Sequence, residues 1–181
     1  MNELRPHIVD PVLGVLLVES ADCYKLEGPI VITSLRGQLL HLTIEQSKSN
    51  PPIDDRQRRW AQWIRDIDEV FSDRIAASIF DYYIKYRVEF RDEYTDDEVN
   101  SLIPEIQEAD QIWGLINLWF AWIVADPADS DYDLSIAFEA IWDTEHNVEV
   151  KIRDGDIVCV SPEGTCGVFD YFNPPPFPFE D

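Results

Sequence analysis

The segment Trp142–His146 contains two carboxylates and an imidazole within its last four residues. Asp143, Glu145 and His146 are candidates for a metal site or a hydrolytic acid-base pair, because both kinds of site use these groups. The segment has no HExxH motif and no second histidine three or four positions away. In the structural alternative, the carboxylates bond the amide groups of a turn and His146 pairs with a neighbouring carboxylate.

A second acidic cluster, Asp129–Asp133, has the alternating aspartates that open a calcium-binding loop. An EF-hand then requires glycine at the sixth position and glutamate at the twelfth, where this chain has Leu134 and Ala140. The segment is therefore not an EF-hand. Weak binding of hard cations by its oxygen atoms remains an alternative.

Other catalytic motifs are missing from the sequence, which contains no GxSxG, P-loop or GxGxxG pattern. Cys159 falls in a predicted strand, where a small apolar core residue is expected rather than a thiolate. Cys23, Cys159 and Cys166 form no CxxC pair, which predicts reduced thiols in a cytosol rather than a disulfide or zinc framework. No cofactor is predicted.

The negative charge is distributed unevenly along the chain. Residues 1–91 carry 12 basic and 14 acidic side chains, whereas residues 92–181 carry 2 and 22. A strongly anionic surface attracts cationic partners and repels polyanions, so nucleic acid and anionic membranes are not expected as partners. A salt-rich habitat would also favour acidic residues, but it should spread them over both halves of the sequence.

The elements that must position these residues follow from apolar periodicity. Short strands are expected at 12–19, 30–34 and 39–45, and a long helix begins at the capping box formed by Asp54 and Gln57 and runs to about Arg91. The arginines of the segment DRQRRW are expected on its solvated outer face. A short helix to about Ile116 and then a strand are expected next.

The remaining predictions concern the C-terminal strands, the fold class, the domain boundary and the absence of a signal peptide or membrane span. Strands are expected at 134–142, 148–152 and 157–160, with Asp154 and Gly155 forming a type I′ turn. The prediction is an α+β fold in which an antiparallel sheet of about six to seven strands packs against one long helix and a short helix. Residues 1–160 form the single domain and residues 161–181 a proline-rich tail. The N-terminus is not expected to be a signal peptide, and the thirteen-residue apolar run 112–124 is too short to span a membrane.

The segment LSIAFEAIWDTEHNVEVKIRDGDIVCV resembles the C-terminal hairpin of an uncharacterised family of bacterial cytosolic domains of unknown function. In that family an alternating strand is followed by WDxEH, a strand, DG and a further strand. Upstream segments match in the same order, so that the resemblance covers residues 12–160. This chain has Asn147 where the family usually has glycine. The resemblance implies an α+β fold and no established reaction, and some similar proteins look like immunity proteins.

These observations lead to one hypothesis and one alternative. The hypothesis is a cytoplasmic acidic protein-binding module that engages a basic protein, such as a toxin, as an immunity-type inhibitor or DNA-mimicking antagonist. The alternative is the metal-binding or hydrolytic domain described above. The sequence does not determine the oligomeric state. The predicted partner-binding residues are Asp126, Asp129, Asp131, Asp133, Asp143 and Glu145.

Overall fold

The computed structural model of the protein describes residues 7–18, 23–26, 30–46, 53–91, 94–126, 128 and 130–162. These residues form a mixed α+β fold. The strands in this part of the chain are β1 His7–Asp10, β2 Gly14–Val18, β3 Cys23–Leu26, β4 Ile30–Ile32, β5 Gln38–Glu45, β6 Ile116–Ile123, β7 Leu134–Ala140, β8 Val148–Arg153 and β9 Asp156–Ser161. The α-helices are α1 Asp55–Arg65, α2 Glu69–Arg91 and α3 Asp96–Leu102, and 3-10 helices cover Thr33–Leu35 and Ala109–Gly114.

All nine of these strands belong to one sheet, in the order β1-β2-β3-β5-β6-β7-β8-β9, with β4 paired to the first part of β5. Neighbouring strands are antiparallel except for β5 and β6, which are parallel. A parallel pair needs a long crossover connection, and helices α1 to α3 lie in that connection. The predicted antiparallel sheet is therefore confirmed except at this pair.

The hydrophobic core lies between the sheet and the helices. Alternate residues of β5, namely Leu40, Leu42 and Ile44, are fully buried, as expected when one face of a strand packs on a core. Burial of each such side chain contributes about 1.5–3 kcal/mol. Strands β6, β7 and β8, which follow β5 in the sheet, contribute apolar residues to the same cluster. These include Ile123, Leu134, Ile136, Phe138, Val148, Val150 and Ile152.

The helical region consists of two helices where the sequence predicted one. The long helix α2 confirms a long element, but α1 ends at Arg65. The carboxylate of Asp68 accepts a hydrogen bond from the Phe71 amide at 2.8 Å, which caps a new helix. The intervening Ile67 is buried, and its carbonyl accepts a hydrogen bond from the Ser34 hydroxyl. These contacts account for the break between the end of α1 at Arg65 and the start of α2 at Glu69. No helix among the described residues is long and apolar enough to cross a membrane.

The predicted caps and turns agree with the structure. Asp54 and Gln57 form the expected capping box at the start of α1. Asp154 and Gly155 both have positive φ, 52° and 85°, as a type I′ turn requires. Asn147 also has a left-handed conformation, with φ 54°. Asparagine tolerates this conformation better than most residues with a side chain.

Three elements in the described residues were missed by the sequence analysis. The four-residue strands β1 and β3 raise the count above the six to seven expected, because strands this short carry little periodicity. Helix α3 has a Thr95–Glu98 capping box, a signal that was available in the sequence. Strand β9 includes Ser161, and most of the predicted tail, residues 163–181, lies outside the described part of the chain.

A buried carboxylate joins the N-terminal hairpin to α1. One oxygen of Asp10 accepts hydrogen bonds from the Val12 and Leu13 amides at 2.9 and 3.0 Å, and the other accepts from Arg58 Nε at 3.0 Å. Burial by itself raises the pKa of Asp10, but the hydrogen bonds from Arg58 and the turn amides hold the pKa below its ordinary value of 3.8. Arg58 thus lies partly inside the protein rather than on a fully solvated face.

We expect the stabilisation by Asp10 to depend on pH. Because the pKa of Asp10 is lower in the folded than in the unfolded state, its contribution is present above about pH 4 and is lost as the pH falls through the lowered pKa. Urea unfolding of the wild type and of Asp10→Asn from pH 7 to pH 3 measures the difference. The two proteins should converge in free energy of unfolding at the acidic end. A constant difference would contradict the assignment.

Candidate functional site

The β7–β8 turn holds Asp143, Glu145 and His146. Asp143 Oδ1 accepts a hydrogen bond from the His146 amide at 3.0 Å and lies 3.1 Å from His146 Nδ1. The Asn147 amide donates to the Asp143 carbonyl at 2.8 Å, which closes the turn. These contacts match the structural alternative for Asp143 and His146. Glu145 is exposed.

The geometry of this turn does not build a metal centre. In the described part of the chain, no group of three or more His, Cys, Asp or Glu side chains is arranged to hold a metal ion. Two protein ligands are fewer than structural or catalytic zinc sites use. The contact between Asp143 and His146 can orient the imidazole, but it supplies only one of the groups that a hydrolytic site requires.

The other predicted acidic residues lie in the β6–β7 connection. Asp126 and Asp131 are exposed, and Asp126 Oδ1 accepts a hydrogen bond from the Ala128 amide at 2.9 Å. Asp129 lies outside the described residues. Asp133 is buried, with 5% of its surface exposed, so its environment differs from that of Asp126 and Asp131.

The buried Asp133 carboxylate bonds two other parts of the protein. Its Oδ1 accepts a hydrogen bond from Arg56 Nη1 at 3.1 Å, and its Oδ2 accepts from the Asp154 amide at 3.0 Å. Arg56 also donates from Nη2 to the carbonyls of Val124 and Ala125 at 2.6 and 2.9 Å. Asp133 therefore ties α1 to the β6–β7 connection and the β8–β9 turn, and Arg56 is not on a solvated face.

The topology separates the predicted residues into two groups. Asp126, Asp131 and Asp133 precede β7, whereas Asp143 and Glu145 follow it. The seven residues of β7 span about 20 Å, so the groups lie at opposite ends of the strand. The six residues chosen from the sequence consequently do not share one edge of the sheet.

The choice of binding residues omitted a further acidic region. It spans α3 and the following 3-10 helix, and no lysine or arginine occurs between residues 92 and 150. The excess of acidic residues in this half of the chain is evident in the sequence, but it was not used to choose binding residues in this region. The exposed carboxylates of this region are Asp96, Asp97, Glu98, Glu105, Glu108 and Asp110.

Arginines from neighbouring elements contact some of these carboxylates. Arg91 Nε lies 3.7 Å from Asp96, Arg87 Nη2 lies 3.8 Å from Glu105, and Arg36 pairs with Asp110. The Arg36–Asp110 and Arg91–Asp96 pairs are exposed to solvent, and such surface ion pairs contribute at most about 1 kcal/mol each. Three arginines do not balance six carboxylates, so the region keeps a negative charge.

Tyr83 of α2 contacts both the acidic region, at Pro104, and the β7–β8 turn, at Trp142. The Tyr83 ring packs edge-on against Trp142 with centroids 4.8 Å apart, and its hydroxyl donates a hydrogen bond to the Pro104 carbonyl. Arg87, one turn later, donates to the Ile103 carbonyl at 3.1 Å. The residues around Pro104 and the β7–β8 turn thus both pack on the second half of α2, and the 3-10 helix Ala109–Gly114 also contacts α2. We call their carboxylates the acidic surface: Asp96, Asp97, Glu98, Glu105, Glu108, Asp110, Asp143 and Glu145.

A row of aromatic rings runs along α2 beside the acidic surface. Tyr82, Tyr86, Phe90 and Tyr94 follow one another at four-residue spacing, with centroids 6.2, 6.0 and 4.2 Å apart. Burial raises the pKa of the Tyr82 and Tyr86 hydroxyls, and the negative charge of Asp143 raises both further. Asp143 is therefore close to the start of this row.

The fold and surface define a mixed α+β domain that carries an acidic, aromatic-lined face and, in its described part, no metal cluster. The chain belongs to a family of domains of unknown function (DUF6985), whose sequence model matches residues 13–166. This match confirms the predicted membership of an uncharacterised family and covers most of the chain. No curated protein and no solved structure matches the chain.

Proposed function

We propose that this protein is a protein-binding module that engages a positively charged partner protein through the acidic surface. The observation that carries the proposal is the presence of eight carboxylates on three elements that all contact α2, namely α3 with the segment after it, the 3-10 helix Ala109–Gly114 and the β7–β8 turn. Such a potential accelerates association with a basic partner and disfavours nucleic acid, which is also anionic.

The proposed class of partner is a basic protein that itself binds a polyanion. A carboxylate-rich face competes for the lysines and arginines that contact phosphate, so occupying them blocks nucleic-acid binding. An immunity-type inhibitor or DNA-mimicking antagonist would act in this way, and we place the protein in that class. In this proposal Glu145 contacts the partner, Asp143 contributes its negative charge from a side chain that is only 11% exposed, and Asp126 and Asp131 form a separate patch. Asp133 is omitted because its carboxylate is used inside the protein.

The charge prediction can be tested with an oligoarginine peptide as the basic probe. Binding should weaken steeply between about 0.1 M and about 1 M salt, because the screening length falls from about 10 to about 3 Å. The double variant Asp97→Asn/Glu145→Gln removes two exposed charges of the acidic surface. At low salt it should reduce the affinity by about 3- to 10-fold, since each exposed pair contributes up to about 1 kcal/mol.

A matched control removes two charges elsewhere. Asp73 and Asp154 are exposed, and Asp154 occupies the β8–β9 turn at the far end of the sheet, where asparagine also tolerates a positive φ. Asp73→Asn/Asp154→Asn should bind the peptide nearly as well as the wild type. Equal losses in both double variants would mean that net charge, rather than this surface, drives the binding. Isothermal titration calorimetry measures the affinities.

A further inference from the structure

We propose, on the basis of the protein-binding function above, that the aromatic row of α2 is the docking site for an arginine-bearing segment of the basic partner. The aromatic row consists of Tyr82, Tyr86, Phe90 and Tyr94. This assigns the recognition of specific side chains to aromatic rings, while the acidic surface supplies long-range attraction.

The position of the row on α2 supports a contact surface. The neighbouring line of Ile75, Ile79 and Tyr83 is fully buried against the sheet. The aromatic row lies at the margin of that core, because Tyr82, Tyr86 and Phe90 are only partly buried and Tyr94 is 43% exposed. Large aromatic side chains such as tyrosine are enriched among the residues that dominate binding energy at protein interfaces, and this row leaves part of each ring accessible.

The charges around the row determine which partner it fits. Asp143 and Glu89 lie near enough to Tyr82 and Tyr86 to raise the pKa of both hydroxyls in addition to the effect of burial. Lys85 lies three residues after Tyr82, almost one helical turn further along α2, and already has an interaction within the protein. A cationic side chain placed over these rings would therefore meet carboxylates at their edge.

Arginine fits this surface better than lysine. A guanidinium group is planar and weakly hydrated, so it stacks on aromatic rings while it donates paired hydrogen bonds to a carboxylate. The lysine ammonium is compact and strongly hydrated, and it gains less from a ring face. The inference commits to arginine, whereas a purely electrostatic surface would treat both residues alike.

The experiment compares oligoarginine and oligolysine peptides of equal length. The wild type should bind the arginine peptide about 5- to 10-fold more tightly, which corresponds to one or two cation–π contacts. Tyr86→Leu/Phe90→Leu keeps apolar volume and removes two ring faces. It should reduce arginine binding to the level of lysine binding and leave lysine binding unchanged. Tyr86→Phe, which retains the ring, should bind as the wild type does.

The outcomes separate this inference from the proposed function. Equal binding of both peptides by the wild type would overturn the aromatic assignment and leave charge-driven binding intact. Failure of both peptides to bind at low salt would overturn the two proposals together. Circular dichroism checks that Tyr86→Leu/Phe90→Leu is folded. The exposed Tyr94→Leu provides a second variant with little effect on the core, and its arginine affinity should fall while its lysine affinity stays constant.

Discussion

Replacing Tyr83 with alanine is expected to destabilise the protein by about 3–5 kcal/mol, the range for truncation of a buried aromatic residue. Tyr83 is fully buried and contacts Trp142 in the β7–β8 turn. Burial raises the pKa of its hydroxyl to about 12, so the group stays protonated near neutral pH and donates to the Pro104 carbonyl. Urea unfolding measures the loss of stability.

The Tyr83→Phe variant separates the ring from the hydroxyl. It keeps the contact with Trp142 and removes only the hydrogen bond to Pro104, so the expected loss is about 1 kcal/mol. Because the ring anchors the turn and the hydroxyl anchors the acidic segment, Tyr83→Phe should also weaken peptide binding slightly. A loss in Tyr83→Ala no larger than that in Tyr83→Phe would show that the ring packing contributes little.

Replacing Asp133 with alanine should destabilise the fold by about 2–4 kcal/mol without changing the affinity for a basic peptide. Removing one member of a buried ion pair leaves the other charge without its partner, a loss of about 3–5 kcal/mol for fully buried pairs. The loss is smaller here because Arg56 is 20% exposed and keeps its bonds to the Val124 and Ala125 carbonyls. Thermal and urea unfolding measure the stability.

Asp131→Ala is the control for this prediction. Asp131 lies two residues from Asp133 in the same connection and carries the same charge, but it is exposed. Its replacement should change the stability by less than about 0.5 kcal/mol. If Asp133→Ala remained as stable as the wild type and lost peptide binding, Asp133 would be a contact residue as the sequence suggested, and its structural assignment would be wrong.

Local signals in the sequence predicted the local structure well. The Asp54–Gln57 capping box and the Asp154–Gly155 turn depend on residues a few positions apart, whose backbone preferences act over the same range. The break between α1 and α2 was not predicted. It depends in part on the contact between Ile67 and Ser34, which are far apart in the sequence.

The candidate site was predicted only in part. Asp143 and Glu145 lie in the β7–β8 turn that packs on α2, and their role in binding stays a prediction; the sequence run without lysine or arginine between residues 92 and 150 contains the other carboxylates of the acidic surface. The residues of α3 were overlooked because an acidic surface helix with little apolar periodicity resembles a loop. Tyr82, Tyr86 and Phe90 fall within the predicted long helix, but their partly exposed position at the margin of the core cannot be read from spacing alone.

The amino-acid sequence by itself determined how much negative charge the protein carries, where most of the longer strands lie and where the tight turns lie, because these depend on composition and on contacts between near neighbours. Tertiary structure alone decided which carboxylates share a surface. Strand β7 separates Asp131 from Asp143, and the packing of Tyr83 against Trp142 and Pro104 brings Asp143 to the acidic segment. Burial likewise decided that Asp133 bonds Arg56, since a buried carboxylate must find its partner within the fold.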